Sequence, residues 1–125
     1  MAPSSFESLK APGVTVNARL VDGVLMLEMM GAVDARDAGA VFDAYWSRTG
    51  AAIREEGIRM VELDLRGLEF MNSSGLLTIV RWLTKVKDSP GYEMAIHYDR
   101  ELTWQRTNVP VLAKLAPTVV RLPGA

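Results

Sequence analysis

The 125-residue chain contains no cysteine, which excludes disulfide bonds, thiol catalysis and thiolate metal ligands. It has a single histidine, His97, and one imidazole without nearby partners makes neither a metal site nor a catalytic triad. An exposed or hydrogen-bonded strand histidine is expected instead. The sequence also lacks a P-loop, a Gly-rich dinucleotide fingerprint and a G-x-S-x-G nucleophile elbow. We therefore predict no catalytic residue, no metal, no cofactor and no enzymatic activity of this chain alone.

A large excess of charge of one sign is also missing. Lys and Arg total 14 against 15 Asp and Glu, which gives a formal net charge of −1. Without a basic field the chain has little to attract nucleic-acid phosphates, and without a polybasic tract it has little to attract a membrane surface. We expect neither a nucleic acid nor a membrane as partner.

No hydrophobic run is long enough to cross a bilayer. The most apolar stretch, residues 24–30, includes Glu28 and is far shorter than a membrane-spanning helix. Residues 1–13 have neither the basic start nor the apolar centre of a secretory signal. We predict a cytoplasmic protein, with residues 1–13 as a flexible arm and residues 14–122 as a single domain.

The spacing of apolar residues predicts strands that alternate with helices. Residues 14–20 and 24–30 alternate as strands around Asp22-Gly23, a hairpin turn signal. The remaining predicted elements are a helix over residues 34–56, a strand over 59–65, a helix over 73–87, a strand over 92–98, a helix over 102–115 and an edge strand over 118–122. This order predicts an α/β fold that opens with a β-hairpin and has helices packed on a mixed sheet of about four to five strands.

One strand-to-helix junction stands out for its chemistry. The sequence Asn72-Ser73-Ser74-Gly75 lies between an alternating strand and a helix with apolar residues at helical spacing. A serine at a helix start can cap the unpaired N–H groups, and these groups and the helix dipole also favour a phosphate. Ser73 can therefore be interpreted either as a plain N-cap or as a residue that carries a phosphate.

The run from Val61 to Leu76, VELDLRGLEFMNSSGL, resembles the signature of STAS domains, specifically the bacterial anti-sigma factor antagonists. In that family a buried strand runs into D-S-S-G-L, and the first serine is phosphorylated. A second match is the run from Met30 to Asp34, which resembles the strand-end G-x-x-D before the family's first helix. The resemblance covers roughly residues 14–122, in order and with compatible spacings.

The resemblance implies a STAS fold with Ser73 as the phosphorylated residue and Asp34, Asn72, Ser74 and Gly75 around it. Asn72 replaces the aspartate usual in the family, and its similar shape should preserve the local hydrogen bonds of the loop. The lost charge should also make it easier to place a phosphate on Ser73, because like charges repel at close range. Asp34 has two compatible interpretations, as N-cap of the first helix and as part of the phosphorylation site.

The helix after Ser73 divides into two surfaces. A stripe predicted to face the sheet consists of Leu76, Ile79, Val80, Leu83 and Val86. Leu77 lies outside this stripe, beside Arg81, and these two residues would suit a docking patch for a partner protein. Alternatively, Leu77 packs against the neighbouring helix. Trp82 is predicted to pack in the core or between helices.

The resemblance also implies partners. In the family, the unphosphorylated domain binds a serine kinase of the GHKL type that doubles as an anti-sigma factor. Phosphorylation by this kinase releases the domain, and a metal-dependent phosphatase of the PP2C type restores it. A homodimer is left open. The alternative function is a constitutive scaffold or a partner of a transporter ATPase, as some STAS domains are, in which Ser73 is never modified.

Overall fold

Strands follow chain order across one mixed sheet, and helices connect the later strands. The computed structural model describes residues 6–123 of the chain. The strands, neighbours in the order given, are β1 (Leu9–Ala11), β2 (Val14–Val21), β3 (Val24–Val33), β4 (Met60–Met71), β5 (Glu93–His97) and β6 (Val120–Arg121). The helices are α1 (Ala38–Glu55), α2 (Ser73–Asp88) and α3 (Thr103–Leu115). The prediction of an α/β fold with helices packed on a mixed sheet is confirmed.

The sheet opens with the predicted hairpin. β2 and β3 pair antiparallel from Val14 opposite Gly31 to Val21 opposite Val24. Asp22 and Gly23 both have positive φ, 51° and 80°, as the turns of two-residue hairpins require. From β3 to β6 every neighbouring pair is parallel, so each of these connections needs a crossover helix.

The prediction of a flexible arm is wrong for residues 9–11, because they form β1 and pair antiparallel with β2. Leu9 and Ala11 pack against the core while Lys10 between them is exposed, which is the alternation of an edge strand. Phe6 is also buried. Residues 1–5 of the predicted arm lie outside the described residues. β1 raises the strand number from the predicted four to five to six.

The crossovers advance in one direction along the sheet. Parallel crossovers are right-handed as a rule, which places all three helices on one face. Burial agrees with this arrangement. In β4 the side chains of Val61 and Leu63 are fully buried, whereas Glu62 and Asp64 on the opposite face are partly exposed. The predicted stripe of α2 packs on the core, with Ile79, Leu83 and Val86 buried and Leu76 and Val80 partly buried.

β4 is longer than predicted and runs to Met71 instead of ending near Leu65. Its pairing with β3 shifts register twice, between residues 28 and 32, as at β-bulges. α3 supports this irregular part, because the Gln105 Nε2 donates to the carbonyls of Leu65 at 2.6 Å and Leu68 at 2.9 Å. The outer half of β4, which leads into α2, is therefore fixed by a side chain from another element.

His97 lies at the end of β5, beside the neighbouring strand β4. Its Nε2 is 2.6 Å from Oε1 of Glu62, and both side chains are partly exposed. This confirms the expected hydrogen-bonded strand histidine. In the part of the chain that the structure describes, no cluster of three or more His, Asp or Glu side chains could hold a metal ion.

Candidate functional site

The junction between β4 and α2 is organised by Asn72. Its backbone is extended, with φ −73° and ψ 170°, and its Oδ1 accepts a hydrogen bond from the Gly75 N–H at 2.9 Å. Its carbonyl accepts from the Leu76 N–H at 3.0 Å, the first bond of the helix ladder. Asn72 is therefore the N-cap of α2.

The interpretation of Ser73 as the N-cap of α2 is wrong, because the cap lies one residue earlier. Asparagine is at least as good an N-cap as serine, and Asn72 has the extended backbone that the position requires. Ser73 is the first residue of the helix and is exposed. Its hydroxyl makes no hydrogen bond to any of the residues described. Ser74 occupies the second position of the helix.

Asn72 also joins the junction to the loop after β3. Its N–H donates to the Val33 carbonyl at 2.8 Å, and its Nδ2 donates to the Ala35 carbonyl at 3.2 Å. An aspartate could accept from Gly75 but could not donate to Ala35. The asparagine that replaces the expected aspartate therefore has a structural role of its own, because it holds the two loops together.

Asp34 is not the N-cap of α1, contrary to prediction. The helix begins at Ala38, and Asp37 occupies the cap position without a side-chain hydrogen bond to the helix. Residues 34–37 form the loop that connects β3 to α1. In this loop the Ala38 N–H donates to the Ala35 carbonyl at 3.2 Å. Asp34 is exposed and lies between the two residues whose carbonyls bind Asn72. This places it in the loop beside the start of α2.

Close packing separates the two serines. A Cβ on Gly75 would lie 2.8 Å from the Val33 Cγ1 and 3.1 Å from the Met71 Cγ, so α2 starts directly against the sheet. A Cβ on Gly39 would lie 2.8 Å from the Ser74 Oγ, so α1 approaches this hydroxyl closely. The Ser74 hydroxyl therefore faces α1, whereas Ser73 faces solvent.

Leu77 and Arg81 have different surroundings on α2. The Leu77 side chain is 51% exposed, so it does not pack into the neighbouring helix as the alternative required. Arg81 forms a bidentate ion pair with Asp43 of α1, with Nε–Oδ1 at 3.1 Å and a second N–O distance of 2.7 Å. The hydrogen bond to Asp43 raises the pKa of Arg81. Phe70, which the sequence reasoning missed, is 46% exposed just before the junction.

The sequence profile of the STAS domain matches residues 15–97, which is more than half of the chain. The chain belongs to the STAS domain family. The matched residues include the whole β4–α2 junction and the loop that Asn72 holds.

Solved structures share the fold of this STAS domain. An anti-sigma factor antagonist from Mycobacterium paratuberculosis has a TM-score of 0.63 and 23% identity, with coverage of 92% of this chain and 91% of that chain. The anti-sigma factor antagonist SpoIIAA in its unphosphorylated form has a TM-score of 0.58 and 14% identity, with coverage of 85% of each chain. A sequence comparison with functionally characterised proteins finds no match. None of the helices within residues 6–123 is long and apolar enough to span a membrane.

The cap assignment predicts which residue at the junction contributes to the stability of the STAS domain. Asn72→Ala should lower the free energy of unfolding by about 1 kcal/mol, because the Gly75 N–H loses its acceptor. Asn72→Asp should lower the free energy of unfolding by less, because aspartate still accepts from the Gly75 N–H and loses only the bond to the Ala35 carbonyl. Ser73→Ala is the control and should change stability little. Urea denaturation measures the free energy of unfolding of all three variants. An equal loss of stability in Ser73→Ala and Asn72→Ala would contradict the assignment of Asn72 as the cap.

A pair of glycine substitutions tests the close packing at the start of α2. Gly75→Ala should destabilise the domain by about 1–3 kcal/mol, because the new methyl group collides with Val33. Gly50→Ala, in the interior of α1, should stabilise it by about 0.5–1 kcal/mol, because its Cβ would meet Trp82 at an ordinary 3.5 Å. Thermal melts of both variants provide the comparison. Melting shifts of the same sign would show that the start of α2 is not packed in this way.

Proposed function

We propose that this STAS domain is a phosphorylation-gated protein-binding module of a partner-switching system, as anti-sigma factor antagonists are. Its unphosphorylated form binds a serine kinase of the GHKL type that doubles as an anti-sigma factor. Phosphorylation of Ser73 by that kinase releases the domain, and a PP2C-type phosphatase restores it. The observation that carries the proposal is the exposed, unbonded hydroxyl of Ser73 at the first position of α2.

Accessibility favours Ser73 over the other hydroxyls at the start of α2. A kinase must reach the acceptor oxygen, and the Ser73 hydroxyl is both exposed and unpaired among residues 6–123. Ser74 is partly buried against Gly39 of α1. Thr78 is 1% exposed, and its hydroxyl donates to the Gly75 carbonyl at 2.7 Å. Phosphorylation at either of these residues would require local rearrangement, whereas phosphorylation at Ser73 would not.

Electrostatics supports a switch in binding without a change of fold. A phosphoserine adds about −1.5 to −2 charges at neutral pH, and the N-terminus of α2 stabilises an anion there. The folded domain should therefore tolerate the phosphate. A partner that contacts the exposed apolar side chains of Phe70 and Leu77 would instead meet a hydrated charge beside them. The cost of desolvating this charge would weaken the complex.

Similar structures give further support. The protein from Mycobacterium paratuberculosis and SpoIIAA are both described as anti-sigma factor antagonists. The SpoIIAA structure is that of its unphosphorylated form. Asn72, Ser74 and Gly75 belong to the same junction as Ser73, and Asp34 lies in the loop that Asn72 holds beside it. We propose these residues as the surroundings of the phosphorylation site, and Leu77 and Arg81 as part of the docking surface.

Phosphopeptide mapping tests the assignment of the acceptor. The purified domain is incubated with ATP and, one at a time, with the GHKL-type serine kinases of its source organism. We expect one phosphoryl group on the peptide that contains Ser73, its loss in Ser73→Ala and its retention in Ser74→Ala. Modification of Ser74 or Thr78, or of no residue with any of these kinases, would contradict the proposal.

A further inference from the structure

A cleft of about 470 Å³ lies between α1 and α2, along their outer surfaces. Its size falls in the range of about 300–1,000 Å³ that is typical of small-molecule sites. The cleft exists because α1 presents small side chains to α2 at helical spacing, at Ser47, Gly50 and Ala51. It begins at Thr78 on α2, beyond the first turn of the helix, so the junction residues 72–75 do not line it.

The inner wall of the cleft is apolar and rigid. Trp46 and Trp82 stack with ring centroids 4.6 Å apart and planes 12° apart, which confirms the predicted inter-helix packing of Trp82. Each indole N–H is already satisfied, by the Thr78 hydroxyl and the Tyr92 hydroxyl respectively, both at 2.9 Å. These contacts fix the wall before any ligand binds, and a preformed wall lowers the entropic cost of binding.

The rim of the cleft is positively charged. Arg54, Arg81 and Lys85 line it together with a single acidic residue, Asp43. Asp43 is already paired with Arg81. Arg54 and Lys85 have no ion-pair partner among residues 6–123, although the Arg54 guanidinium donates to the Ser89 carbonyl and lies over the Tyr92 ring. Two uncompensated cations therefore face the same cleft, although the whole chain has a net charge of −1.

We propose that the cleft binds a small planar aromatic molecule that carries a phosphate or carboxylate group. The ring would lie over Gly50 and Ala51 of α1, the accessible apolar part of the lining, and Arg54 and Lys85 would hold the anionic group. Cations gathered at the mouth of a preformed apolar cleft favour an anion with an apolar body. This site is separate from the proposed phosphorylation site and does not depend on the function proposed for Ser73.

The test follows the indole N–H signals of the ¹⁵N-labelled domain during titration with 1-naphthyl phosphate. We expect saturable shifts of the Trp46 and Trp82 signals. The Trp104 signal should stay unchanged, because this indole binds the Leu68 carbonyl away from the cleft. 1-Naphthol and inorganic phosphate should each bind at least about tenfold more weakly, because 1-naphthol lacks the anionic group and inorganic phosphate lacks the aromatic ring. 1-Naphthoate distinguishes a carboxylate from a phosphate as the preferred group.

Matched variants locate the binding. Lys85→Glu should weaken binding of 1-naphthyl phosphate by about tenfold or more, whereas Lys87→Glu, on the same helix turn but outside the cleft, should change it less than about twofold. Ala51→Phe should block the cleft, and Ala44→Phe on exposed α1 surface should not. Thermal melts verify that all four variants are folded.

The absence of saturable shifts at millimolar 1-naphthyl phosphate would overturn the proposal. Equal binding of inorganic phosphate or 1-naphthol, or equal effects of Lys85→Glu and Lys87→Glu, would do the same. Tighter binding of a hexaglutamate peptide than of 1-naphthyl phosphate would also overturn it, because the cleft would then be a docking site for acidic protein segments.

Discussion

Replacement of Ser73 by aspartate is expected to leave the STAS domain folded and to weaken its binding to the GHKL-type kinase by about 1–3 kcal/mol. The side chain at this position is exposed at the N-terminus of α2, where a carboxylate interacts favourably with the helix dipole. In the complex, the same charge would have to be desolvated next to the partner. Aspartate carries only one charge, so its effect should be smaller than that of a phosphate.

Ser73→Ala is the matched variant and should bind at least as well as the unmodified protein. Its stability should also be unchanged, because the Ser73 hydroxyl has no hydrogen bond within residues 6–123. Calorimetry with the purified kinase and thermal melts of both variants measure binding and folding separately. Equal affinities for the two variants would favour the constitutive scaffold or the transporter-ATPase partner. An aspartate variant that unfolds would show that Ser73 is buried in packing and would rule out the switch.

Gln105→Leu is expected to lower the free energy of unfolding by about 2–4 kcal/mol, the largest stability effect in the domain that we predict. Gln105 is fully buried, and its Nε2 donates to the carbonyls of Leu65 and Leu68. Its Oε1 accepts from the Asp99 N–H at 2.7 Å. Leucine has a similar size but no polar atoms, so the Leu65 carbonyl and the Asp99 N–H would lose their bonds to this side chain. The Leu68 carbonyl would keep its bond from the Trp104 indole.

The control for this substitution is Thr107→Leu, which changes an exposed residue of the same helix and should alter stability by less than about 0.5 kcal/mol. Urea denaturation of the two variants gives the difference directly. A loss in Gln105→Leu no larger than that in the control would mean that water or another group replaces the glutamine. The Gln105 side chain of α3 would then not be what supports the outer half of β4.

Local periodicity was enough to predict most of the fold. The hairpin at Asp22-Gly23, the two buried strands beyond it and the three helices all follow patterns within one segment. β1 was missed because only three residues alternate before Pro12. The outer half of β4 was missed because its register shifts make Leu68 buried and Gly67 exposed, which breaks the alternation.

The site was predicted in outline but not in its hydrogen bonds. Residue type alone does not decide between Asn72 and Ser73 as the N-cap, since asparagine and serine both serve well there. The choice depends on bonds from Asn72 to Val33 and Ala35, which lie far away in sequence. Gln105 likewise binds carbonyls about forty residues away, and no local pattern indicates such a contact.

The cleft between α1 and α2 was not predicted, for a similar reason. Its small residues lie on one helix, while Lys85 and the stacked face of Trp82 belong to the other. The sequence pattern of either helix alone does not indicate a cleft. Only the packing of the two helices brings Arg54 and Lys85 to the same cleft.

Binding of the GHKL-type kinase to the unmodified and the fully phosphorylated domain tests the gating by Ser73 most directly. Isothermal titration should show an affinity at least about tenfold lower for the phosphorylated form. Treatment with a PP2C-type phosphatase should restore the affinity for the kinase. The Ser73→Ala variant, incubated with ATP and kinase and then with phosphatase, should keep the same affinity throughout. Equal affinities of the phosphorylated and unphosphorylated domains would contradict the account.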